Sequence, residues 1–204
     1  MVNRLAIILT ALVIVLVSGP AIADSSLSEF ISQTKPQELF PQGDRFGQQQ
    51  GDPPILPVYA ADRLLGYVYL NTDFSGAVGY SGKPVHVLVG IDLDGVITGI
   101  KLVEHKEPIV LVGVPERSVV EAVNKLVGAK IAAVAAGKER PPQPQIVSGA
   151  TVTVLVMADS IIRSAVRLLR SGRITPTAKA TPGVATDAGP RSVDETQAEV
   201  RDWG

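Results

Sequence analysis

One run limits the possible folds more than any other: "VHVLVGIDLDGVITGIKLVE", residues 85–104. Its first half is crowded with valine, leucine and isoleucine. Its second half sets Ile97, Gly99, Lys101 and Val103 against Val96, Thr98, Ile100, Leu102 and Glu104. A period of two is the signature of a strand whose faces meet different surroundings. Asp94-Gly95 lies between the halves, and glycine supplies the positive φ that a tight hairpin turn needs. The run is therefore predicted to be two antiparallel strands, with His86 packed inside the first.

Further strand signals stand upstream at residues 55–60 and in "LLGYVYL", residues 64–70, with Ala61-Asp62-Arg63 between them. Three residues suit a second hairpin. Residues 24–34 read as a short helix with Leu27, Phe30 and Ile31 on one face, stopped by Pro36. Residues 38–52 and 71–82 are polar and glycine-bearing and read as loops. Downstream, residues 108–115, "PIVLVGVP", read as a buried loop or a short strand. Residues 116–126 carry Val119, Val120, Val123 and Leu126 at helical spacing. Residues 129–136 are ambiguous, and residues 137–145 are a break. Residues 151–169 read as a long helix with Asp159, Arg163, Arg167 and Arg170 on one flank, ended by Gly172. The expected fold class is α+β: a twisted, mainly antiparallel sheet packed with helices.

Both ends read differently. Arg4 precedes an apolar run over residues 5–17, then Ser18-Gly19-Pro20 and the small residues of Ala21-Ile22-Ala23. The run falls short of the roughly 20 residues that span a bilayer. Residues 1–23 are read as a secretory signal peptide and residues 24–173 as one domain. Residues 174–204, rich in Thr, Ala, Pro and Gly, are read as a linker or tail. Trp203, near the end, suggests truncation of a longer chain.

Composition excludes several chemistries. The chain has 204 residues and no cysteine, so disulfides, thiolate catalysis and iron–sulfur ligation by this chain are ruled out. With two histidines, a multi-histidine metal site is not expected. A net charge of -1 and the lack of a recognition motif argue against nucleic acid. No triad spacing, Walker loop or dinucleotide fingerprint is present. Glu104, Glu107 and Glu116 read as a solvated edge.

The stretch that carries chemistry is "SGATVT", Ser148 to Thr153, at the start of the long helix. Gly149 and Ala150 let the backbone pass close to a ligand. Free N–H groups and the helix dipole favour an anion there, and Thr151 adds a hydroxyl. The competing reading is an ordinary Ser148 N-cap followed by a permissive glycine. Tyr80 and Lys83, in "GYSGKP", are candidates for stacking on a ring and pairing with phosphate. His105, at a strand end, is a candidate for the same neighbourhood.

"SGATVTVLVMADSIIRSA" resembles the flavinylation segment of periplasmic FMN-binding domains. These domains occur in the Na+-translocating NADH:quinone reductase, the Rnf complex and the NosR/NirI proteins. "LFPQGDRFG", "LLGYVYLNTDF" and the long run through "VLVGVPE" are similar to the NosR/NirI branch, in the same order. The resemblance covers roughly residues 39–165. It implies FMN, joined by a phosphoester to Thr151 by a flavin transferase that uses FAD, with Ser148, Gly149 and Ala150 as the recognition turn. It implies an electron-transfer flavoprotein of the periplasm rather than an enzyme that transforms a substrate. Such a protein would support nitrous oxide reductase, or its maturation, in denitrification. Its expected partners are that enzyme or its maturation factors, and a membrane electron-transfer partner or membrane region of a longer parent attached to the inner membrane. The family motif usually has aspartate three residues before the serine, where this chain has Gln145. Non-covalent FMN, or a flavin-free regulatory or sensory module, stands as the alternative.

Overall fold

A computed structural model describes residues 26–174, apart from residues 77, 109, 111 and 112. The signal-peptide reading, the tail beyond residue 174 and Trp203 lie outside the described residues, as does part of "PIVLVGVP".

In chain order the elements are helix α1 (Ser26–Ser32), a 3-10 turn (Pro36–Glu38) and strands β1 (Arg45–Phe46), β2 (Leu56–Ala60) and β3 (Arg63–Leu70). Then come α2 (Asn71–Phe74), β4 (His86–Asp92) and β5 (Ile97–Glu104), followed by α3 (Glu116–Asn124), α4 (Ile131–Ala135) and α5 (Thr151–Arg170). The five strands form one antiparallel sheet in sequence order, so the α+β reading holds. At the predicted turn Gly95 has φ +74°, and Asp92 Oδ1 accepts from the amides of Asp94 and Val96. Residues 129–136, ambiguous in sequence, contain the short α4.

Both faces of the sheet are covered. One carries Tyr69, Val87, Val89 and Ile91 against Val154, Met157, Ile161 and Leu168 of α5. The other carries Val58, Val68, Leu70 and Leu88 against Leu27 of α1 and against Leu39 and Phe40. Residues 38–52 are a loop as read except where Glu38 ends the 3-10 turn and Arg45–Phe46 form β1, but the loop is not solvated throughout. Leu39 is fully buried and Phe40 nearly so. The cause is a paired absence of side chains: Gly90 and Gly99 face each other across β4 and β5. A Cβ on Gly99 would stand 2.5 Å from Leu39 Cα, so the chain at Leu39 lies where two side chains are missing.

The loop reading of residues 71–82 is also corrected at its start. Asn71–Phe74 is one helical turn, and Asn71 is fully buried. Its side chain donates to Val85 O (3.0 Å) and Ser160 Oγ (2.8 Å) and accepts from Val87 N (2.8 Å). It replaces ladder bonds that β4 lacks at its entry and ties that strand to α5.

At the far end, Gly172 has φ +72° and closes α5 as expected. Ile174, read in sequence as the first tail residue, is 2% exposed and belongs to the main core. Arg173 reaches back to donate to Gln50 O (2.7 Å) and to Pro53 O. Among the described residues no helix is long and apolar enough to cross a membrane.

Candidate functional site

Helix α5 begins at Thr151, and its N-cap is Ala150, not Ser148. No side chain caps it. Ser148 is exposed, so the ordinary Ser148 cap is not what the structure contains. Gly149 takes φ +83°, a conformation that side-chain-bearing residues rarely adopt, and a Cβ there would press on Val114 Cγ2 at 3.2 Å. Ala150 is 3% exposed and anchors the turn in the core. The helix start is thus fixed by backbone shape and one buried methyl group.

Its amides stay open in consequence. The N–H groups of Thr151, Val152 and Thr153 have no acceptor among the described residues. Intrahelical bonding begins only with Val154 N to Ala150 O, at 3.0 Å. Three unpaired donors at the positive end of a 20-residue helix suit an anion such as a phosphate. Thr151 is half-buried, and its hydroxyl donates to Val147 O (3.2 Å), which holds the oxygen over the same turn. The residues present therefore fit a phosphate carried by FMN: amides to bind it and a hydroxyl beside them.

The other candidates reach this corner through a residue that sequence reasoning misplaced. Glu107 is not on a solvated edge: it is fully buried. Its carboxylate accepts from the amides of Tyr80 (3.1 Å) and Ser81 (3.2 Å), from Ser81 Oγ (2.8 Å) and from Thr153 Oγ1 (3.0 Å). Desolvation raises its pKa, but these hydrogen bonds outweigh burial and hold it below the ordinary glutamate value. Glu107 thus bolts the "GYSG" loop to the first turn of α5. Gly79 makes room, since a Cβ there would overlap the carboxylate. "EHKEP", with charges on both sides, shows nothing of this, because charged residues are seldom fully buried unless paired. The cue lay in the partner loop, whose glycine and serine suit a buried acceptor.

Tyr80 is 75% exposed, held by its backbone with its ring in solvent. Lys83 is exposed, with its amide on Ser81 Oγ, and makes no ion pair among the described residues. His105 is fixed: its Nδ1 accepts from Glu107 N (3.2 Å), which assigns the proton to Nε2, facing Glu116 at 3.0 Å. It braces the segment that carries Glu107. Tyr69 and Phe74 are core residues in edge-to-face contact with centroids 5.3 Å apart. His86 packs on Phe30 and bonds Thr72 Oγ1 (2.9 Å).

A groove of about 700 Å³ runs beside α5, walled by Pro141, Pro142 and Pro144 and floored by Leu155, Ala158 and Ile162. The polar flank foreseen in sequence, Asp159, Arg163, Arg167 and Arg170, lines it. Tyr80, Lys83 and His105 do not. Among the described residues no cluster of three or more His, Asp or Glu could hold a metal ion.

Comparison with known proteins agrees with this corner. Residues 79–165 match the family described as FMN-binding domain, a span that runs from Gly79 through Glu107 and Thr151 into α5. The chain is 32% identical over 154 residues to the "Regulatory protein NosR" of Pseudomonas aeruginosa, covering 74% of this chain and 21% of that protein. It is 28% identical over 156 residues to the "Regulatory protein NosR" of Stutzerimonas stutzeri, covering 74% of this chain and 22% of the relative. With the "Protein NirI" of Paracoccus denitrificans it shares 36% identity over 103 residues, 50% of this chain and 15% of that one. The chain spans about a fifth of the length of the NosR relatives. Residues 79–165 match the FMN-binding domain family, and the chain is similar to part of the NosR and NirI proteins.

Proposed function

We propose that this chain is a periplasmic electron-transfer module whose FMN is joined by a phosphoester to Thr151. The observation that carries the reading is the start of α5: three amides without acceptors among the described residues, no side-chain cap, and the Thr151 hydroxyl above them. In the attachment step Thr151 Oγ1 forms a bond to the flavin-side phosphorus of FAD, supplied through a flavin transferase. The pyrophosphate link breaks, AMP leaves, and the hydroxyl proton departs with it or to solvent. Bound flavin supplies one- or two-electron transfer, and the protein positions it. The open amides of Thr151, Val152 and Thr153 bind the phosphate, and Gly149 lets it approach the backbone. A covalent tether prevents loss of the cofactor outside the cytoplasm.

By similarity to NosR, the module serves nitrous oxide reductase or its maturation, drawing electrons from a membrane partner or from a membrane region in a longer parent protein. Gln145, exposed where the flavinylation motif usually has aspartate, favours a second reading: non-covalent FMN, or a flavin-free regulatory domain. Mass spectrometry separates them. After export together with a flavin transferase, the peptide from Ser148 to Arg163 is expected to gain one FMN less water, and Thr151→Val to abolish the gain. Unmodified peptide from yellow protein would move the assignment to non-covalent flavin. Colourless protein would overturn both flavin readings.

A further inference from the structure

The structure holds a charge that this function does not use. Glu107 is fully buried against the first turn of the helix that would receive a phosphate, hydrogen-bonded to Thr153, two residues from Thr151. The positive end of a helix is worth about half an elementary charge. Part of it is already answered here by a fixed carboxylate. We propose that Glu107 sets the phosphate specificity of this helix start: it disfavours the doubly charged phosphate of free FMN and admits the singly charged phosphodiester that a flavin on Thr151 would carry. The inference rests on the reading above.

The physical argument is one of charge counting. A phosphate monoester carries close to two negative charges at neutral pH. Once its phosphorus is also bonded to Thr151 Oγ1, the same group is a diester with one. Repulsion from a fixed carboxylate scales with the charge of the incoming group. The carboxylate is out of water, so salt screens the interaction less than it would a surface pair. Four donors stop Glu107 from cancelling the helix end altogether: two amides and the Ser81 and Thr153 hydroxyls spread its charge. What remains is a site with room for one negative charge but not for two. An unloaded chain would then stay clear of free FMN while keeping Thr151 accessible for attachment.

The test compares FMN with riboflavin, which lacks the phosphate, on the unloaded chain, followed by flavin fluorescence. The ratio of the two dissociation constants removes losses common to both ligands. Glu107→Gln keeps the size and removes the charge. The ratio is expected to move towards FMN on the order of tenfold, as one unit charge at this range in a partly screened site allows. Thr153→Val removes a donor from the carboxylate and is expected to move the ratio the other way. Equal ratios in the wild type and Glu107→Gln, including no measurable FMN binding to either, overturn the proposal, as does a shift towards riboflavin. If circular dichroism shows Glu107→Gln unfolded, Thr153→Val decides alone, and an unchanged ratio overturns it. Failure of the attachment reading shows instead as an unmodified Ser148–Arg163 peptide, which leaves this ratio unaffected.

Discussion

Glu107 shows how a single side chain can depend on its protonation state. Its carboxylate accepts from four donors, two amides and two hydroxyls, and only the ionised form satisfies them all. Its pKa is lower in the folded than in the unfolded chain, so the folded state binds fewer protons. Its contribution is complete above the ordinary glutamate value of 4.5 and is lost as pH falls through the lower, folded value. Urea unfolding is therefore expected to show stability falling below about pH 5, with a slope of at most about 1.4 kcal/mol per pH unit from this group. Glu107→Gln should be less stable at pH 7 and lack that part of the slope. Equal slopes in the two proteins would show that the carboxylate is not held as described.

Among the elements, β4 and α5 are joined by polar as well as apolar contacts. Asn71, from the single turn α2, supplies all three bonds at the junction. Asn71→Ala would strand Val85 O and Val87 N in the interior, where each unmet group costs about 1–3 kcal/mol. A loss of ~3 kcal/mol in unfolding free energy is expected, with the far-UV spectrum kept. A loss below about 0.5 kcal/mol would mean that water replaces the amide. The elements also differ in how readable they were. Strands β3 to β5 and helix α5 follow from their periods, because each has one side facing a core and the apolar residues repeat at the period of the backbone. The burial of Leu39 and Phe40 does not. It depends on glycines 90 and 99, 50 or more positions away, meeting across a sheet. Asn71 and Glu107 escaped for the same reason: polar residues are assigned to the surface unless their partners are known, and these partners come from distant segments. At the site, the turn at Gly149 and the helix starting at Thr151 were legible. The carboxylate that joins them to Tyr80 was not.

At the level of the whole molecule, the described fold closes only with its last residues. Ile174 fills the main core, and Arg173 holds the loop at Gln50 and Pro53. A chain stopped after Gly172 is expected to lose about 2–3 kcal/mol relative to one stopped after Ile174, from the buried isoleucine alone. Thermal unfolding of the two would show it, and coincident curves would place the end of the domain before Arg173.

The same clasp determines how the domain responds to tension. A tether joined after Ile174 leaves from a point bonded to the loop before β2, on the far side of the sequence from α5. Pulling there loads first the short bracket between the end of α5 and the loop before β2. The turn bearing Thr151 lies about 30 Å away along a helix of 20 residues, so a load applied at Ile174 reaches it only through the length of α5.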